Sequence, residues 1–187
     1  LITNGMSWSF CLQKHLKGSI PTVLETLTRL TNLFLFENQF TGEVPSELGN
    51  LQQLQRIILN QNSLQGPIPT ELGHLSAAPL QTLELQDNIL QGGIPTHLCL
   101  LSNLKNLFLE NNNLSGPVPS CLGSIPQLER LELANNNRLT GTIPADVCFL
   151  GKNAEAESSL VLGFDCTSNL CGCDCACDES ATQQEGK

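Results

Sequence analysis

The chain has 187 residues, which suits one domain, and its formal net charge is −9 at pH 7. A negative chain gains no long-range attraction to nucleic acid or to an anionic membrane surface, so we expect neither as a partner. The sequence also has no run of about eighteen apolar residues that would span a membrane.

The start of the sequence lacks the basic stretch and apolar core of a signal peptide, so we expect a processed or truncated chain. The sequence contains nine Cys, five of them between Cys166 and Cys177. That number is too high for a reducing cytosol unless the thiols bind metal. We expect an extracellular or secretory location, with an oxidising organelle lumen as the alternative.

A glycine that precedes a Val-Pro or Ile-Pro pair recurs every 24 to 26 residues, at Gly18, Gly42, Gly66, Gly92, Gly116 and Gly141. Such a period predicts a solenoid. Insertions near Ala78 and Asn137 account for the longer spacings. We assign residues 1–150 to repeats with an incomplete first copy, 151–178 to a last half-repeat and cysteine-rich cap, and 179–187 to a flexible tail.

Each repeat carries a short predicted strand whose alternate apolar residues face inward. The pairs are Leu33 and Leu35, Ile57 and Leu59, Leu83 and Leu85, Leu107 and Leu109, and Leu131 and Leu133. An Asn follows three residues later and can pair buried turn backbone, which makes it structural. This Asn ladder comprises Asn38, Asn62, Asn88, Asn112 and, in the last copy, Asn136 or Asn137.

One full copy runs from Leu104 to Pro119 as LKNLFLENNNLSGPVP. The pattern LxxLxLxxNxLxGxIPxxLGxL resembles the plant-type, extracellular leucine-rich repeat from about Cys11 to Leu150. The resemblance implies an α/β repeat solenoid, a right-handed superhelix of about six repeats with a concave parallel β-sheet, a second short sheet and convex short 3-10 or helical turns. The end segment resembles the disulfide-rich C-terminal cap of secreted diatom leucine-rich-repeat proteins.

The family usually begins with a paired-cysteine cap, whereas this sequence has only Cys11 there. A bare first coil would leave apolar surface and a strand edge unpaired. We therefore expect further N-terminal chain or a partner over that end.

Binding sites in such solenoids are expected at the outward positions of the concave strands. These positions predict an apolar patch of Trp8, Phe10, Leu12, Phe34, Phe36 and Ile58, which holds four of the eight aromatic residues. The alternative is that missing N-terminal chain folds over this patch. Further along, the face carries Phe108 and becomes acidic at Glu84, Asp87, Glu110 and Glu132, with Arg56 and Arg130 as counter-charges. It could orient a basic partner or be only a solvated face.

The cysteine cluster has the spacing C-x4-C-x-C-x-C-x-C, which matches neither a zinc nor an iron–sulfur site. Metallothionein-like binding stays open, but we favour disulfides and expect no metal. The cap candidates are Cys148, Cys166, Cys171, Cys173, Cys175 and Cys177.

Cys99 and Cys121 lie in successive convex turns at an expected Cα separation of about 7 Å, so a bridge between them is marginal. His97 aligns with Cys121, which raises a disfavoured Cys–His dyad.

Asn113-Leu-Ser115 is a glycosylation acceptor sequence on an accessible turn.

The sequence has no phosphate loop, zinc-protease helix or serine triad, so we expect no enzyme, catalytic residue or cofactor. The sequence favours non-enzymatic protein recognition through the concave face. The alternative is a structural accessory subunit of a larger assembly in an oxidising compartment. Ice or polysaccharide binding is disfavoured, because one outward column of the second sheet is irregular: Lys17, Thr41, Gln65, Gln91, Ser115 and Thr140.

Overall fold

A computed structural model describes residues 8–9, 15–149 and 161–163, with side chains described within residues 15–147. The complete coils each contain a strand of one parallel sheet, a strand of a second parallel sheet and a short helical turn. The solenoid predicted from the period is therefore confirmed, together with the two parallel sheets and short convex turns that the family resemblance implies.

The first sheet, which we call the concave sheet, has its seven strands in chain order. They are Trp8–Ser9, Asn32–Phe34, Arg56–Ile58, Thr82–Glu84, Asn106–Phe108, Arg130–Glu132 and Val161–Gly163. The second sheet has six: Lys17–Ser19, Gln39–Gly42, Ser63–Pro67, Ile89–Gly92, Asn113–Pro117 and Arg138–Thr140.

The convex turns are 3-10 helices at Thr22–Thr26, Ser46–Asn50, Thr70–Ala77, Thr96–Leu100 and Ser120–Ser124, followed by an α-helix at Ala145–Phe149. A Pro precedes each 3-10 helix, since its fixed φ suits that position and its missing N–H loses no bond there. The recurring glycines have φ of 75 to 90°, which side-chain-bearing residues rarely adopt. The two-residue insertion lengthens the helix Thr70–Ala77 and leaves the strands in register.

All ten predicted inward strand residues are buried, and Ile57, Leu83 and Leu107 have no exposed surface. They form one core with the Val or Ile before each Pro and with the leucines of the convex turns. The outward residues between them lie on the open face of the concave sheet. Strand periodicity thus positions the candidate binding residues.

The convex turns of successive coils approach one another at a glycine. A Cβ added at Gly73 would lie 2.8 Å from both Cβ and the carbonyl oxygen of His97 in the next coil, and one at Gly49 would collide with the Glu71 carbonyl. Real Cβ atoms do not come that close to backbone. Gly49 and Gly73 therefore lie where their neighbouring turns leave no room for a side chain.

Cys99 occupies this glycine position in its own coil, directly after Leu98. It forms a disulfide with Cys121 of the next coil, with a Cα–Cα distance of 5.7 Å. The expected separation of about 7 Å was too long, because the turns approach more closely at this position than the spacing between strands suggests. Cys121 is consumed by the bond, so the Cys–His dyad with His97 is wrong. Closing a loop of this length contributes roughly 3 kcal/mol to stability.

The first strand differs from the predicted register. Trp8 pairs with Leu33, and Ser9 pairs with Phe34, whereas the period had aligned Trp8 with Asn32. The connection to the next strand is thus one residue longer than the period, and a one-residue slip exchanges the two faces of a strand. The repeat register by which Trp8 was predicted at an outward position is therefore wrong.

Several predicted residues lie outside the described part of the chain: Phe10, Leu12, Cys166, Cys171, Cys173, Cys175 and Cys177. Cys148 lies in the backbone of the helix Ala145–Phe149. The strand Val161–Gly163 pairs with Arg130–Glu132 and extends the concave sheet by one strand, within the residues assigned to a last half-repeat and cap.

Candidate functional site

The open face of the concave sheet carries the described residues of the predicted binding set. Phe34, Phe36, Ile58 and Phe108 are half-buried, and Arg56 and Arg130 are exposed. Phe34 pairs directly with Ile58 on the neighbouring strand, and Phe36 lies two residues further along. We call Phe34, Phe36 and Ile58 the apolar cluster.

Carboxylates occupy the same face over the following coils. Glu84 and Glu132 lie on either side of Phe108 at the same register, and Glu110 lies two residues beyond Phe108. We call Glu84, Glu110 and Glu132 the acidic row. Burial raises the pKa of Glu84, opposed by a hydrogen bond from Gln86 and by Arg56. Burial likewise raises the pKa of Glu132, opposed by Arg130.

Glu110 is the most perturbed of these groups. Burial, and then the charges of Glu132, Asp87 and Glu84, raise its pKa from 4.5 to about 7, against a hydrogen bond from its own backbone. Since all three neighbours act on one carboxyl group, the four acids form one electrostatic unit. Burial and the neighbouring carboxylates thus both disfavour the charged form of Glu110 at neutral pH.

Glu110→Gln is expected to stabilise the protein by about 1 kcal/mol at pH 8, allowing for solvent screening of this half-exposed group, and to change little at pH 4.5. The folded-state pKa lies above the unfolded value, so the wild type loses stability as pH rises from 4.5 to about 7. Urea unfolding at both pH values measures this difference. Glu25→Gln, on the convex turn Thr22–Thr26, controls for net charge. Equal effects of the two variants at both pH values would refute the assignment.

Three acceptor atoms on this face are buried without a hydrogen-bond partner in the described part of the chain: Asn60 Oδ1, Gln86 Oε1 and Glu110 Oε2. These residues occupy the same column on successive coils, each directly after a buried strand leucine. Sequence analysis singled out Glu110 but not Asn60 or Gln86. A buried acceptor without a donor costs about 1–3 kcal/mol, so these side chains gain a hydrogen bond if they turn toward a donor-rich ligand.

Behind the face, the Asn ladder ties each coil to the one before it. Asn112 accepts a bond from Leu90 N at 3.0 Å and donates to the carbonyls of Leu85, Leu109 and Glu110 at 3.0 to 3.2 Å. Asn62, Asn88 and Asn136 bond in the same way, while Asn137 is exposed. Asn38 accepts from Leu16 N and donates to the carbonyls of Leu35 and Phe36. The ladder holds the concave strands at fixed spacing.

The residue before each ladder Asn adopts a left-handed conformation, with φ of 51 to 55°. Asn135 donates to Asn111 at 2.6 Å, and Asn111 donates to Asp87 at 2.7 Å. These exposed bonds form a second ladder along one edge of the concave face. Sequence analysis missed it, although Asn and Asp tolerate this conformation better than other side chains and could have indicated it.

Asn113 begins the second-sheet strand Asn113–Pro117, and its side chain is exposed. Glycosylation there stays a prediction, which a mass shift on glycosidase treatment would test. In the described part of the chain, no helix is long and apolar enough to cross a membrane, and no group of three or more His, Cys, Asp or Glu is placed to hold a metal ion.

The family model described as Leucine Rich Repeat matches residues 29–51, 53–75, 103–125 and 127–150. The intervening coil, which the family model does not match, has the same two strands and convex turn. No curated protein sequence matched the chain.

Solved structures give three informative likenesses. The chain is 35% identical to one in the BIR3–SERK2 complex from Arabidopsis thaliana, with a TM-score of 0.63 over 78% of this chain and 74% of that one. It is 33% identical to one in the complex of the Arabidopsis receptor kinase HAESA with the peptide hormone IDA and the co-receptor SERK1, with a TM-score of 0.69 over 80% and 24%. It is 31% identical to a plant ice-binding protein, with a TM-score of 0.66 over 80% and 46%. The chain thus spans about a quarter of the matched chain in the HAESA complex.

Proposed function

The chain belongs to the leucine-rich-repeat family, and we propose that it is a non-enzymatic recognition module that binds a protein partner through its concave sheet. The observation that carries the proposal is the composition of that face. The apolar cluster lies next to the acidic row on one open sheet. Apolar side chains bordered by charged ones are typical of protein interfaces.

The fold supports this proposal through rigidity. The ladder bonds and the paired strands fix the spacing of the outward side chains before any partner arrives. A surface that is already ordered loses little conformational entropy on binding. The side chains at fixed spacing can therefore act as anchors.

The likenesses support the same class of function. The name of the HAESA complex records a peptide hormone and a co-receptor, and the BIR3–SERK2 complex joins two proteins. We infer an extracellular location, which a further likeness to the leucine-rich-repeat ectodomain of HAESA supports. The disulfide between Cys99 and Cys121 agrees with an oxidising compartment. The ice-binding likeness is not carried over, because the exposed second-sheet positions Thr41, Gln65 and Gln91 form no regular array of one residue type.

Partner binding by matched surface variants tests the proposal. The partner is first isolated with the wild-type chain under non-reducing conditions and identified by mass spectrometry, and its affinity is then measured. Phe34→Asp with Ile58→Asp, on the concave face, is expected to weaken that affinity at least about 100-fold. Val23→Asp with Leu100→Asp places the same charges on convex residues that are 63% and 56% exposed, and is expected to change affinity less than about twofold.

Equal losses in the two double variants, with both folded by circular dichroism, would reject the concave face as the binding surface. A chain recovered only within a stable assembly, and aggregating alone, would instead support the accessory-subunit alternative. Light scattering of the purified chain distinguishes these outcomes.

A further inference from the structure

The acidic row surrounds an aromatic ring. Glu84, Phe108 and Glu132 occupy the same register on three adjacent strands, and all three side chains are half-buried. Adjacent strands lie about 4.8 Å apart, so a planar group over the Phe108 ring is within reach of a carboxylate on each side. Glu110 lies one outward position further along the chain from Phe108.

Charge on this face is not balanced by the chain itself. Four carboxylates, those of Glu84, Asp87, Glu110 and Glu132, face the two guanidinium groups of Arg56 and Arg130. On the neighbouring column, Lys105 is already paired with Glu129 at 3.3 Å. Glu110 is only partly ionised at neutral pH, so the centre of the sheet keeps an excess of between one and two negative charges, which a cationic ligand would neutralise.

Hydrogen-bonding capacity indicates the same kind of ligand. Glu110 Oε2 and Gln86 Oε1 are buried acceptors without a donor in the described part of the chain. The carboxylates are spread over three coils, and no described group of three acids is placed to hold a metal ion. A planar cation with several N–H donors fits this arrangement better than a single metal ion.

We propose that Phe108 is the binding site of an arginine side chain from a partner protein. The guanidinium group stacks on the ring and donates hydrogen bonds to Glu84 and Glu132. An arginine combines a planar face that stacks on an aromatic ring with five donors in a fixed fork. A lysine ammonium has the charge but lacks the plane. This inference rests on the proposed function, because it names the chemistry that the concave face recognises.

The test uses amidated hexa-arginine and hexa-lysine peptides as probes, titrated calorimetrically against the full chain at pH 7.5 in about 50 mM salt, where surface charges are weakly screened. Wild type is expected to bind hexa-arginine at least about threefold more tightly than hexa-lysine. Glu84→Gln with Glu132→Gln is expected to weaken hexa-arginine binding at least about tenfold. Glu47→Gln with Glu71→Gln, on the convex turns, changes net charge equally and is expected to have less than about a twofold effect.

The ring is tested separately from the charges. Phe108→Leu is expected to abolish the preference for arginine over lysine, while Phe34→Leu, the same exchange in the apolar cluster, is expected to preserve it. Three results would overturn the arginine site: no binding of hexa-arginine, equal losses of hexa-arginine affinity in the two Glu double variants, or a preference for arginine over lysine that survives Phe108→Leu. Failure here, with partner binding still sensitive to Phe34 and Ile58, would leave the proposed function standing. Insensitivity of partner binding to Phe34 and Ile58 would reject the function itself.

Discussion

Asn112→Ala is expected to lower the free energy of unfolding by about 4 kcal/mol, because it breaks four hydrogen bonds at a site that is only 6% exposed. The change leaves Leu90 N–H without a partner inside the solenoid, while the carbonyls of Leu85 and Leu109 each lose one of two donors and keep the bond from Asn88 or Asn136. Leu85 and Leu90 belong to the preceding coil, so the substitution weakens the contact between coils as well as one turn. Stability in a solenoid is a sum over such contacts.

Asn113→Ala is the matched control, since it removes the same side chain from the next residue, which is exposed. We expect it to cost less than about 0.5 kcal/mol. Urea denaturation followed by circular dichroism measures both variants, in unglycosylated protein. Similar midpoints for the two variants would mean that the ladder does not hold the coils together.

Gly49→Ala is expected to cost about 3 kcal/mol or more, because the added methyl would collide with the Glu71 carbonyl of the next coil. Backbone cannot rotate away as a side chain can, so the convex turns Ser46–Asn50 and Thr70–Ala77 must separate. The coils on either side are expected to lose protection together in hydrogen exchange.

Gly93→Ala makes the same exchange where the nearest atom, Ser115 O, lies 3.6 Å from an ideal Cβ. It is expected to leave stability within about 0.5 kcal/mol of wild type. Thermal melts and native-state hydrogen exchange compare the two. If the Gly49→Ala variant has the same melting temperature as wild type, close approach at this glycine is not a constraint on the fold.

Periodicity predicted the strands and the ladder because both depend on local spacing. Leu83 and Leu85 alternate as a strand requires, and Asn88 follows at the position that pairs turn backbone. The period could not predict the first strand, where one extra connecting residue pairs Trp8 with Leu33. Loops absorb such residues at little cost, so no sequence signal records them. The position of the strand Val161–Gly163 within residues 151–178 was not predicted for a related reason, since the strand follows a stretch without the repeat pattern.

The sequence predicted which residues share the concave face, but it did not predict how their charges interact. Register placed Glu84, Glu110 and Glu132 on one face, yet the raised pKa of Glu110 depends chiefly on burial, which composition does not give. Cys99 stands at the position that other coils fill with Gly. Its bridge to Cys121 is understood only from the close approach of the convex turns, which the structure shows and the sequence does not. Contacts between coils therefore limited the sequence-based account.

Hydroxyl-radical footprinting of the complex with the isolated partner tests concave-face recognition most directly. Oxidation of Phe34, Phe36 and Phe108 is measured by mass spectrometry with and without the partner, and the exposed convex residues His74 and His97 provide the internal control. We predict at least about a threefold reduction in oxidation at the three Phe residues and none at the two His residues, because a bound partner removes its contact surface from water. Protection of His74 and His97, with Phe34, Phe36 and Phe108 oxidised as before, would contradict concave-face recognition.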